Sequence, residues 1–150
     1  MAFRLSTGLR NALMGAGLKG LLNGGFMEIY SGYQPDSADM IETSGAVLLA
    51  VISSTSGTSA TDGLQFGTAA SGVLPIAASP VWSGAVLVDG VAGWFRFHGS
   101  GGIVHGSNGT AVRFDGAVGV SGADLNLSHT SLTQASTLTV TAFNITEPAS

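Results

Sequence analysis

Residues Ala85–His98 read AVLVDGVAGWFRFH, and the interpretation of this stretch decides the fold. Asp89-Gly90 tolerates the positive φ of a type I′ turn, so the spacing predicts a hairpin joining Ala85–Val88 to Val91–Phe97. Within Trp94–His98, strand alternation puts Trp94, Arg96 and His98 on one face and Phe95 and Phe97 on the other. The two phenylalanines are expected to face a core.

The same grammar extends in both directions. Asn108-Gly109 predicts a second hairpin, between Ile103–His105 and Thr110–Phe114. Phe26–Ser31 alternates, with Phe26, Glu28 and Tyr30 on one side and Met27 and Ile29 on the other. Ala46–Ile52 (AVLLAVI) is nearly continuous in apolar residues, the pattern of a strand covered on both faces. Leu125–Leu127 and Leu138–Ile145 add period-2 segments. Tyr33–Glu42 is acidic and turn-forming, with Pro35 unsuited to a central strand, and the Ser/Thr/Gly-rich Ser53–Asp62 reads as an exposed loop. Seven or eight short strands joined by tight turns predict an all-β fold, an antiparallel β-sandwich of jelly-roll or Ig-like type.

The first residues read differently. Ser6 or Thr7 can cap a short amphipathic helix whose Leu5, Leu9, Leu13 and Ala16 share one side, and Asn23-Gly24-Gly25 is a turn signal. The expected organisation is a helical arm over residues 1–25 and a sandwich over 26–150.

Charge is scarce. Only 9% of the 150 residues are charged, against about 25% in an average domain. Three of the five cations, Arg4, Arg10 and Lys19, fall in the first 19 residues, which hold no acid. A net charge of −4 argues against nucleic-acid binding, which needs clustered Lys and Arg. The apolar runs are far shorter than the ~20 residues of a membrane helix. Cysteine is absent, so neither disulfides nor thiolate metal sites are available. A surface this poor in charge is expected to be covered in part by a partner.

Motifs for catalysis fail on context. Gly15–Gly20 matches G-x-G-x-x-G with Asp36 and Asp39 about 20 residues on, but neither the strand before it nor the long helix after it is predicted. His98, His105 and His129 show no ligand spacing, so no metal or cofactor is expected, and His98 reads as the polar-face residue of an amphipathic strand. No G-x-S-x-G elbow occurs. A hydrolase built on His98 with a nearby Ser or Asp has no motif behind it, and the chain is not expected to be an enzyme.

Leu9–Leu13 (LRNAL), Ile29–Asp39 (IYSGYQPDSAD), Gly45–Leu49 and above all Arg113–Phe143 (RFDGAVGVSGADLNLSHTSLTQASTLTVTAF) resemble a widespread group of small tailed-phage virion proteins. Members commonly carry "IYSGTQPASAD" and a "DGSVGTSGADLNLSSTSI" block closing in a "TVTSF" strand. Tyr33 stands where a small polar residue is more usual, His129 and Ala135 interrupt the usual pattern, and Ile103–Asn108 is idiosyncratic. The resemblance implies a virion structural protein, a capsid cement or decoration protein on the outer surface of the shell. Its implied partners are the major capsid protein and further copies of itself, a trimer suiting local three-fold positions.

The acid-free N-terminal segment is one candidate contact with the shell, through Arg4, Leu5, Leu9, Arg10, Leu13 and Lys19, with Tyr33 as a further contact. The alternative is that this segment packs on its own sandwich and covers an edge strand. A second functional reading is a tail or baseplate adhesin that stacks glycans on exposed Tyr30, Tyr33, Trp82 and Trp94.

Overall fold

A computed structural model describes residues 3–9, 17–54, 62–70 and 73–146. The fold is all-β and sandwich-like, built from antiparallel sheets. Its main sheet runs in the order β1 (Arg4–Leu5), β8 (Arg113–Gly119), β7 (Trp94–His98), β2 (Phe26–Tyr30), β3 (Leu48–Ile52). The short β9 (Leu125–Asn126) pairs with β8 in parallel, the exception to the antiparallel rule expected from the sequence.

The opposing layer is made of short two-stranded pieces. β5 (Trp82–Ala85) pairs with β11 (Thr137–Val140), β4 (Val73–Pro75) with β12 (Asn144–Thr146), and β6 (Gly90–Val91) with β10 (Ser131–Leu132). Bridges Ala50↔Val86 and Ser53↔Ser83 link β3 to the β5 region, so the main sheet bends into the second layer. Gly84 makes that bend possible, because a Cβ there would lie 2.0 Å from the Val51 carbonyl oxygen.

Alternation in β2 and β7 fills the core as the sequence predicts, and β8 follows the same rule. Met27, Ile29, Phe95, Phe97 and Phe114 point between the layers and meet Phe66, Trp82, Leu138, Val140 and Phe143. Phe97 stacks on Phe114 at 5.1 Å, and Phe114 stacks on Phe143 at 6.2 Å. Phe95 meets Phe143 edge-on at 5.5 Å, so one aromatic column joins the layers.

Neither predicted hairpin forms. Ala85–Val88 is used elsewhere: Val86 N–H donates to Ser136 and Leu87 N–H to Leu49, while the Asp89 carboxylate accepts the Gln134 N–H at 2.7 Å. β7 instead lies between β2 and β8, where both its faces are covered. Asn108 makes a local Asx turn, its Oδ1 accepting the N–H groups of Thr110 and Ala111 at 2.9 Å. Residues 103–105 are therefore loop, and β7 joins β8 through the long connection 99–112. Leu138–Ile145 is two strands, broken where Phe143 turns into the core. Such splitting yields twelve short strands among the described residues, against the seven or eight expected. The Ser53–Asp62 loop lies largely outside the described residues.

The described parts of residues 1–25 belong to this domain and are no separate arm. β1 covers the outer edge of β8, with Arg4↔Asp115 and Leu5↔Phe114 in register. Ser6 caps the helical residues 7–9, its Oγ accepting the Leu9 N–H at 3.1 Å and donating to the Ala111 carbonyl at 2.7 Å. Leu9 and Leu22 sit in the core, the latter on the short helix α1 (Leu18–Leu22). This is the edge-covering alternative, favoured because burying two leucines and pairing an open edge both stabilise the fold.

Candidate functional site

The outer face of the main sheet carries a layer of polar side chains that the fold seals from water. Alternation places Glu28 and Tyr30 of β2, Trp94, Arg96 and His98 of β7, and Arg113 and Asp115 of β8 on this face. All seven are buried. The sequence predicts the alternation within β2 and within β7 and takes Tyr30 and Trp94 as exposed; the correction comes from two loops, 31–47 and 99–112, which fold over this face. Both cations outside the first 19 residues, Arg96 and Arg113, lie in this layer, so the surface is poorer in charge than composition suggests.

Arg113 holds the two loops together. Its guanidinium donates to the carbonyls of Ala38 at 2.5 Å, Val104 at 2.8 Å and Gly106 at 2.7 Å, with a longer contact to Met40 at 3.4 Å. The planar fork of five N–H donors suits this divergent set of acceptors. Asp39 adds a tie to the N-terminus, accepting the Thr7 N–H at 2.6 Å and the Thr7 hydroxyl. The Asp39 carbonyl accepts the Asn108 N–H at 2.7 Å, which links loop to loop. Gly8 fits here because a Cβ would meet the Thr110 carbonyl oxygen at 2.3 Å.

Arg96 forms a bidentate pair with Asp115, at 2.6 and 2.8 Å, and reaches Glu42 at 3.3 Å. Its guanidinium also lies 5.4 Å from the Trp94 ring, which stacks on Tyr30 at 4.5 Å. Burial acts to deprotonate Arg96, but Asp115 and Glu42 outweigh it and hold its pKa above the ordinary value. Burial raises the Asp115 carboxyl, an effect that its bonds from Arg96 reverse only in part. Burial, and then the charge of Arg96, lowers the pKa of Arg113.

At the other end of the layer, two imidazoles converge on one carboxylate. His98 Nε2 lies 2.6 Å from Glu28 Oε1 and His105 Nε2 lies 2.8 Å from Glu28 Oε2. The Tyr30 hydroxyl donates to the same Oε1 at 3.1 Å. Burial acts to raise the Glu28 carboxyl, but its hydrogen bonds with His98 and then His105 hold it below its usual value. Burial and the nearby Glu28 and Glu42 push the Tyr30 hydroxyl up. His98 Nδ1 accepts the Val104 N–H at 3.2 Å, so the proton of the neutral ring sits on Nε2 and is donated to Glu28. Both ring nitrogens of His98 are thus engaged, Nε2 with Glu28 and Nδ1 with the Val104 N–H. His98 also lines a cavity of about 240 Å³ with Gly101, Gly102, Val104 and Thr110.

The residues expected to contact a partner are not gathered into one surface. Arg4 is half-buried in β1 and donates to the Asp36 carbonyl, Leu5 packs against the core, and Leu9 is wholly interior. Leu9 is corrected from contact residue to core residue because its face meets the sandwich. Arg10 and Leu13 lie outside the described residues. Lys19 is exposed on α1, near the Phe26 end of the sheet, whereas Tyr33, 80% exposed, follows the Tyr30 end. Of the four aromatics expected on the surface, Tyr30, Trp82 and Trp94 are buried. Glu28, Glu42, His105, Arg113 and Asp115 were not expected as a group. The readable signal, for Glu28, Arg113 and Asp115, is that charges occupy alternate positions of strands whose intervening positions include apolar core residues such as Met27, Ile29 and Phe114.

The chain matches no known protein-family model, no curated protein and no solved structure.

Proposed function

We propose that the chain is a structural protein of a tailed-phage virion, a capsid cement or decoration protein that binds the major capsid protein on the outer surface of the shell. The motif resemblance through IYSGYQPDSAD and DGAVGVSGADLNLS motivates this reading. One structural observation carries it further: exposed apolar side chains collect at one end of the sheet. Tyr30 is paired with Leu48 and Trp94, and Trp94 with Ala117, so the segments beyond these residues emerge together. They bring out Tyr33, Val47, Val91 and Val120, with Leu87 held beside them by its N–H bond to Leu49.

An apolar, charge-poor surface suits an interface, because little charge has to be desolvated when it is covered. Binding to a shell adds stability by mass action, as a cement protein requires. On this reading the protein is a homo-oligomer, with a trimer suited to three-fold positions. No described helix is long and apolar enough to cross a membrane.

Adding purified protein to undecorated phage shells tests the reading. Electron microscopy is expected to show density on the outer capsid surface, and Val91→Asp with Val120→Asp is expected to abolish it while leaving the circular dichroism unchanged. Bare shells with wild-type protein would refute the cement role. Density at the tail tip would favour the adhesin, for which burial of three of the four expected aromatics leaves little stacking surface.

A further inference from the structure

We propose that Glu28, His98 and His105 form a binding site for one divalent cation of the zinc type, and that loading it re-seats the loop carrying Val104 and His105. The three ligand atoms, two imidazole Nε2 and one carboxylate oxygen, lie within 4.8 Å of one another. Two histidines with one carboxylate form a recurring zinc donor set that leaves a coordination position open. Imidazole nitrogen favours zinc, cobalt and nickel over calcium and magnesium, which prefer oxygen.

The framework is suited to holding an ion. Glu28 and His98 stand on adjacent strands in the middle of the sheet, where Phe26↔His98 and Glu28↔Arg96 fix the register. The Tyr30 hydroxyl, donating to Oε1, orients the carboxylate as an outer-sphere partner does. His105 supplies the entrance: its side chain is 57% exposed, while Glu28 and His98 are 1% exposed. A cation can therefore arrive from solvent at His105 and reach the two buried ligands.

The distances describe a site closed on its own protons. At 2.6 and 2.8 Å the imidazoles are hydrogen-bonded to the carboxylate. Tetrahedral bonds of about 2.0–2.1 Å would hold ligand atoms roughly 3.4 Å apart. The two imidazole–carboxylate separations need open by less than about 1 Å, and the remaining separation, now within 4.8 Å, has to settle at the same value, shifts within reach of a surface loop.

Proton bookkeeping adds a requirement. In the closed form His98 Nε2 carries the proton and Nδ1 accepts from Val104 N–H. A cation on Nε2 takes that lone pair, so the proton of the neutral ring has to move to Nδ1. Two donors would then face each other. Turning over the Ile103–Val104 peptide exchanges the N–H for the Ile103 carbonyl, the usual acceptor opposite a metal-bound histidine. The Val104 carbonyl, held by Arg113 at 2.8 Å, belongs to the next peptide and can stay in place. The loop change is thus confined to the two residues before the ligand His105.

Tag-free full-length protein, stripped with a chelator, is titrated with Zn2+ by calorimetry and with Co2+ by visible absorption. One ion per chain is expected, with Co2+ bands of a four- or five-coordinate site and a rise in Tm. The exposed ligand is the safest to remove: His105→Ala is expected to keep the fold and weaken Zn2+ binding by at least about tenfold, a floor taken from losses seen on removing outer-sphere partners alone. Amide NMR of the wild type should show Val104 among the most shifted residues on Zn2+ addition. Absence of Co2+ bands at millimolar metal, or unchanged affinity in His105→Ala, would overturn the site. A bound ion with an unmoved Val104 amide would overturn the peptide turn.

Discussion

Arg96 and Asp115 face each other across β7 and β8, joined by two hydrogen bonds of 2.6 and 2.8 Å with both side chains fully buried. The pair sits at the centre of the covered polar layer, and its energetics follow from that burial. Replacing Asp115 with Ala leaves the guanidinium only Glu42 at 3.3 Å as an anionic partner. Asp115→Ala is expected to lower stability by about 3–5 kcal/mol. The double replacement Arg96→Met with Asp115→Leu should cost less than Asp115→Ala alone, because no orphan charge remains. Urea denaturation measures both, and a double variant weaker than the single one would contradict this account.

Arg113→Lys isolates the loop staple. An ammonium keeps the charge but cannot span carbonyls at Ala38, Val104 and Gly106 together. A loss of about 1.5–3 kcal/mol is expected, the worth of a hydrogen bond to a charged group. Hydrogen exchange should speed up at residues 38–42 and 104–107 while β2 and β7 stay protected. Uniform loosening of the whole sheet would argue against a local staple.

Gly84→Ala and Gly109→Ala form a matched pair. The first puts a Cβ 2.0 Å from the Val51 carbonyl oxygen, and the second meets nothing within 4 Å. Gly84→Ala should destabilise by about 1–3 kcal/mol through forced separation of β3 and β5. Thermal melts should leave Gly109→Ala close to wild type.

Leu9→Ala tests whether the N-terminal segment is part of the fold. Its side chain is fully buried in the core, so about 2–5 kcal/mol should be lost. Deleting residues 1–9 should cost more, since it also bares the β8 edge and removes the Ser6 bonds to Leu9 and Ala111. A deletion variant with unchanged Tm would show that the segment is dispensable.

Much of the sandwich is legible in local pattern. Phe95 and Phe97 point to the core as alternation demands, Met27 and Ile29 join them, and Ser6 caps where a helix start was expected. The turn dipeptides mislead because their side chains have other work: Asp89 binds Gln134 N–H, and Asn108 closes its own Asx turn. A two-residue signal reports backbone tolerance, and it is silent about which strand lies nearby.

Sequence alone determined what each strand presents to its two sides, because side-chain alternation is a property of the local backbone. It placed Trp94, Arg96 and His98 together in WFRFH and opposed them to Phe95 and Phe97. Only the tertiary structure decided that this polar face is interior, since its cover comes from loops 31–47 and 99–112, anchored by Arg113 and Asp39. Only it brought Glu28 to His98 and His105, partners 70 and 77 positions away. Convergence over that separation depends on strand order and on the path of a loop, neither of which is encoded in period or spacing.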